Sequence, residues 1–145
     1  MNTVSLQVSD LTGAALDWAV ATLHWTQEKL EQRQSEILFD PIGFQNDAPK
    51  SSQAGFWIWS SKLNQTSLLI GYDYAPSRRW EQAGPIQEQE RIALAPNSDG
   101  TLWQATAQDG TVSHGDTPQI ALMRAYVASQ QGDYIDVPEY FTRDQ

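Results

Sequence analysis

Tyr72-Asp73-Tyr74-Ala75-Pro76-Ser77-Arg78-Arg79-Trp80-Glu81-Gln82-Ala83-Gly84-Pro85-Ile86-Gln87-Glu88 gathers three aromatic rings, two adjacent arginines and a Gly-Pro step into one segment. Its apolar positions follow neither the helical nor the strand period, so it reads as an irregular loop. That loop divides the chain into a helix and strands before it, and strands and a second helix after it. Aromatic faces beside guanidinium forks suit planar anionic partners, since one stacks while the other pairs with charge. The competing reading is a packed surface loop whose arginines neutralise nearby carboxylates.

Upstream, Val4, Leu6 and Val8 alternate as in a strand. Thr12 is placed to cap a helix, with Leu11 and Leu16 as its hydrophobic staple. Leu16, Ala19, Val20 and Leu23 share one face of that helix, while Trp18 and Trp25 fall nearly opposite and need cover from another segment or form a contact surface. The good helix formers Gln27 to Gln32 extend it, and it should fray before Asp40-Pro41. Residues 40–55 have loop composition and are expected to be flexible. Phe56 to Trp59 and Ser67 to Tyr72 then read as strands joined by a turn at Lys62 to Gln65.

Downstream, Arg91 to Leu94 and Thr101 to Ala107 read as strands joined by Pro96 to Gly100. Asp109-Gly110 signals a second turn, leading to a short edge strand from Val112. Thr117-Pro118 opens the second helix, with threonine as cap and proline at the first helical position. Ile120, Met123 and Val127 lie on one face with Arg124 at its margin, and Gly132 ends the helix in the left-handed conformation. The tail, with Tyr134, Tyr140 and Phe141, should lie against the domain. The expected fold is α+β: a single domain over 1–145 with two helices packed on a small, mainly antiparallel sheet of three to five strands.

The 145 residues suit one domain, and six tryptophans with 40% hydrophobic residues indicate a folded chain. A net charge of −9 opposes binding to a nucleic-acid backbone. It means either solubility or an imitation of nucleic-acid charge. The absence of cysteine removes disulfide and thiolate chemistry. The N-terminus has no signal-peptide pattern and no run suits a membrane span, so a soluble intracellular protein is expected.

Three segments resemble the NinX-like proteins of tailed phages. Leu11-Thr12-Gly13-Ala14-Ala15-Leu16-Asp17-Trp18-Ala19-Val20-Ala21 is similar to the opening motif of that family. Pro76-Ser77, Trp80, Gly84-Pro85-Ile86 and Glu88 resemble its central Pro-Ser-x-x-Trp and Gly-Pro-Ile-x-Glu pattern. Thr117-Pro118 through Gly132-Asp133 resembles its C-terminal helix and stop. The resemblance implies a phage-encoded accessory protein acting in the host bacterial cytoplasm, and it implies no reaction. The chain departs from the pattern in a longer, more aromatic stretch over 24–70, and in Arg78-Arg79 where a polar or acidic pair is usual.

No nucleophile elbow, metal-binding histidine spacing or phosphate-cradling glycine loop is present, and no cofactor is called for. Glu88 and Glu90, read as lying on one side of a strand with Asp17 nearby, are a minor candidate for a cation or an acid–base pair. Arg124 is expected to pair with Asp17, or else to clamp an anion beside the central loop. The candidate ligand-binding residues are Tyr72, Tyr74, Ser77, Arg78, Arg79, Trp80, Gly84, Pro85, Glu88 and Arg124. Three functions are weighed. The first is a binder that counters host defence by sequestering a small anionic, nucleotide-type ligand. The second is an acidic inhibitor of a host protein, and the third a small nucleotide-processing enzyme. The sequence leaves a homo-oligomer open.

Overall fold

The computed structural model of the chain describes residues 3–24, 37–40, 57–60 and 66–142. In chain order these form β1 (Thr3–Gln7), a 3-10 turn (Val8–Asp10), α1 (Gly13–His24), β2 (Ile37–Asp40), β3 (Trp57–Ser60) and β4 (Thr66–Leu69). There follow α2 (Trp80–Glu90), β5 (Ala93–Pro96), β6 (Trp103–Thr106), β7 (Val112–Gly115), α3 (Pro118–Gln131), β8 (Tyr134–Pro138) and a closing 3-10 turn (Glu139–Thr142). The fold is α+β. All named strand pairs are antiparallel: β1 with β8, β2–β3–β4, and β5–β6–β7.

α1 is the centre of the core. Every residue from Ala15 to Ala21 is buried, and seven consecutive positions span about two turns, so no face of this stretch meets water. It packs on α3, β8 and the closing 3-10 turn. Trp18 is therefore covered within the protein. Leu11 and Leu16 are both buried in the same core, and the Leu16 N–H reaches the Thr12 carbonyl at 3.3 Å.

α3 runs beside α1 and packs also on β6, β7 and α2. Thr117 caps it as expected: its hydroxyl accepts from the Ile120 N–H at 3.2 Å, and Pro118 occupies the first turn. Gly132 stops it with φ +90° and ψ −154°, a positive φ with extended ψ rather than the left-handed helical pair. Gly115 ends β7 against this helix: a Cβ there would lie 2.6 Å from the Ala121 nitrogen.

Several expectations change. The segment over 72–88 is not loop throughout, because Trp80–Glu90 is a helix that carries Pro85 within it. Residues 37–40 are a strand paired with β3, not the end of a fraying helix. The chain termini pair, since β1 and β8 register Val4 with Val137 and Leu6 with Ile135. Phe141 is buried, but Tyr134 is exposed rather than covered. Trp25, the extension over Gln27 to Gln32, the loop after Asp40 and the turn at Lys62 to Gln65 lie outside the described residues, as do the side chains of Trp57, Trp59 and Tyr140.

Candidate functional site

The segment from Ile70 to Arg79 is a compact turn pressed onto α1. Ile70 bridges to Tyr74, and the Gly71 N–H donates to the Tyr74 carbonyl at 2.8 Å. The Ala75 carbonyl accepts from both the Arg78 and Arg79 N–H groups, at 3.0 and 2.8 Å. Gly71 has φ +94°, and a Cβ there would sit 2.7 Å from the Ala14 Cβ. Only glycine supplies both the dihedral and the room. Tyr74, Ala75, Pro76 and Ser77 face inward and are buried.

Asp17 fixes the underside of this turn. It is 1% exposed, and its Oδ1 accepts from the Ser77 N–H at 2.9 Å across 60 positions of sequence. Its Oδ2 is buried with no hydrogen-bond partner among the described residues. Burial pushes its pKa up from 3.8 to about 6, opposed by the Ser77 N–H and hydroxyl and by the charge of Arg78. A carboxylate so placed holds the turn to α1, while its own charge is disfavoured by the loss of water.

The outer side of the turn is polar and aromatic. Arg78 Nη2 donates to the carbonyls of Gly71 and Tyr72, each at 3.2 Å. Arg79 gives the Tyr72 carbonyl two further bonds, from Nε at 3.3 Å and Nη2 at 3.1 Å. The Arg79 Nη1 lies 3.8 Å from Glu81 Oε1, a solvent-screened pair of little weight. Gln82 ties the turn to α2: its Oε1 accepts from the Ala75 N–H at 2.6 Å, and its Nε2 donates to the Asp73 carbonyl at 2.8 Å. Tyr72 and Trp80 remain 59% and 44% exposed.

The candidate residues thus divide. Tyr72, Arg78, Arg79 and Trp80 are all exposed, Trp80 at the start of α2 and the other three on the stiffened turn. Tyr74 and Ser77 point inward and support it. Gly84, Pro85 and Glu88 lie further along α2, with Pro85 and Glu88 exposed. Arg124 belongs elsewhere: its Nε donates to the Leu11 carbonyl and its Nη1 to the His114 carbonyl, both at 2.8 Å. The expected Arg124–Asp17 pair does not form. Burial lowers the Arg124 pKa, and Asp116 and Asp10 oppose the shift. Glu88 and Glu90 stand two positions apart on a helix, about 200° around its axis, and so do not share a face. Among the described residues no group of three or more His, Cys, Asp or Glu side chains is placed to hold a metal ion.

Gly71, Gln82 and the Asp17–Ser77 link were missing from the candidate set. An isolated glycine at the end of a branched run does signal close backbone approach, and Gly71 follows Leu68-Leu69-Ile70. The contact from Asp17 to Ser77 carries no local signal, being a tertiary pairing of remote residues.

A family model described as Bacteriophage P22, NinX matches residues 7–130. That span includes α1, the turn, α2 and nearly all of α3. No curated protein matches the chain.

Proposed function

Because the chain belongs to the NinX family of phage proteins, and so is a phage accessory protein, we propose that it works as a non-enzymatic binder. The partner is a small, flat, anionic ligand of nucleotide type, and its sequestration in the host cytoplasm counteracts host defence. The observation that carries this reading is the shared Tyr72 carbonyl. It accepts from both guanidiniums and so holds them on a segment whose Tyr72 and Trp80 side chains are exposed. Side chains ordered in advance lose less entropy on binding. Ring stacking contributes about 1–3 kcal/mol per base in single-strand binders, and each charge-assisted bond to phosphate about 1.5–3 kcal/mol.

Isothermal titration with mono- and dinucleotides tests it. Wild type should bind stoichiometrically, and Arg78→Ala and Arg79→Ala should each weaken binding at least about tenfold, a loss of roughly 1.4 kcal/mol. Equal affinity in both variants would assign this turn to scaffolding.

A second reading, an acidic inhibitor of a host protein, is favoured by the exposure of Tyr72 and Trp80 beside the two arginines in the chain. Tyr, Trp and Arg are the residues that dominate protein-interface energies. With a net charge of −9, a complex formed this way should weaken steeply as salt rises.

A further inference from the structure

A cleft of about 230 Å³ opens on a different part of the molecule. One wall is Gln7, Val8 and Ser9, where β1 passes into the 3-10 turn. The other is Thr111, Val112 and Ser113 at the start of β7, with Ala128 of α3, Asp133 and Tyr134 completing it. β7 is an outer strand of its sheet. The Ala107 N–H donates to the Thr111 carbonyl at 2.8 Å, and Val112 stands opposite Thr106. In an antiparallel ladder the backbone groups of successive residues alternate direction. Thr111 and Ser113 therefore turn theirs toward β6, and Val112 and His114 turn theirs away.

The His114 carbonyl bears this out, since Arg124 takes it at 2.8 Å while also donating to the Leu11 carbonyl. One guanidinium thus spans the gap between the two backbones at Leu11 and His114. Two residues back on each side, at Ser9 and Val112, the gap is the open cleft. Among the described residues no backbone bond outside the β6–β7 ladder reaches Val112. Val112 and Tyr134 are 48% and 57% exposed. An exposed apolar strand edge invites pairing, and proteins usually blunt such edges with charge, proline or cover.

We propose that this cleft receives an extended peptide as an added strand on β7, one carrying a lysine or arginine beside apolar residues. The main chain of the peptide pairs with the outward N–H and carbonyl of Val112 and the N–H of His114. Its apolar side chains lie along Val112 and Tyr134. Its cation meets Asp133, the one ionisable carboxylate lining a cleft that holds no lysine or arginine. Backbone bonds supply affinity in this mode, and alternate side chains supply selectivity.

The test is an NMR titration of the whole protein, at near-physiological salt, with acetyl-Val-Lys-Val-Lys-Val-amide as probe. Shifts should concentrate at the amides of Val112 and His114. Val112→Pro removes an outward N–H without breaking the β6 ladder and should weaken binding roughly tenfold, as for one or two lost hydrogen bonds. Asp133→Asn should weaken it by about threefold. A probe N-methylated at every residue keeps the charge but cannot pair as a strand on either edge. It should not bind, a result that needs no variant to fold. Three results overturn the proposal: no shifts at millimolar probe, shifts indifferent to N-methylation, or Val112 and His114 amides already protected from exchange in the protein alone.

Discussion

Asp17→Asn changes one buried charge and little else. The carboxylate is 1% exposed and its pKa stands at about 6 against 3.8 for an unburied aspartate. The folded-state value lies above the unfolded one, so the stability contributed by Asp17 is fully present below about pH 4 and is lost as pH rises through about 6. The full span corresponds to roughly 3 kcal/mol. Between about pH 5 and about pH 7.5, linkage gives a loss near 1.4 kcal/mol, which asparagine cannot show. Asparagine keeps an acceptor for the Ser77 N–H but places an unpaired amide where Oδ2 was, at a constant cost of about 1–3 kcal/mol. That offset does not depend on pH and drops out of the slope. Urea denaturation of both proteins across this range, taken as the difference in unfolding free energy, is the assay. The difference should move by about 1.4 kcal/mol in favour of the variant as pH rises. A difference that stays flat would refute the buried, destabilised carboxylate and the account of how it tethers the turn.

Other outcomes follow from single contacts. Thr117→Ala should destabilise by about 1 kcal/mol in chemical denaturation, through loss of the bond from the Ile120 N–H. Gly71→Ala meets both a φ of +94° and the Ala14 side chain, so it should cost about 2 kcal/mol or more and lower the melting temperature. Arg124→Lys offers one compact ammonium where two carbonyls are now served in a fork. A loss of about 1–3 kcal/mol in the same measurement is expected.

Local signals in the sequence were sufficient where the structure is local. The threonine–proline start of α3 and the turns at Pro96 to Gly100 and Asp109-Gly110 are set by side chains within a few positions, and each appears where it was read. β1 was legible from alternation, although its partner β8 was not, since pairing across the whole chain leaves no local trace. α2 was misread because Gly84-Pro85 usually breaks a helix. Here the proline removes one N–H, while Ala83 and Ile86, three apart, are buried, and Arg91 closes the helix in the left-handed conformation. The signal was present in Gln87-Glu88-Gln89-Glu90, a run of good helix formers.

The candidate site was legible as composition and not as geometry. Arg78, Arg79 and Trp80 are neighbours in sequence, and the tight turn brings both arginines to the Tyr72 carbonyl. Arg124 could not be placed in advance, because a cation at the margin of an apolar helix face can reach several acceptors. Its choice of two backbone carbonyls over Asp17 depends on where β7 and Leu11 meet. Asp17 proved to be the anchor of the turn for the same kind of reason, since only the packed core brings Ser77 to it.

Native mass spectrometry of the purified protein, before and after incubation with a small-molecule extract of infected cells, tests the binding claim most directly. Wild type should gain one discrete, stoichiometric mass that a protein carrying both Arg78→Ala and Arg79→Ala does not retain. No added mass on wild type, or the same mass kept by the double variant, would contradict a ligand surface at Tyr72, Arg78, Arg79 and Trp80.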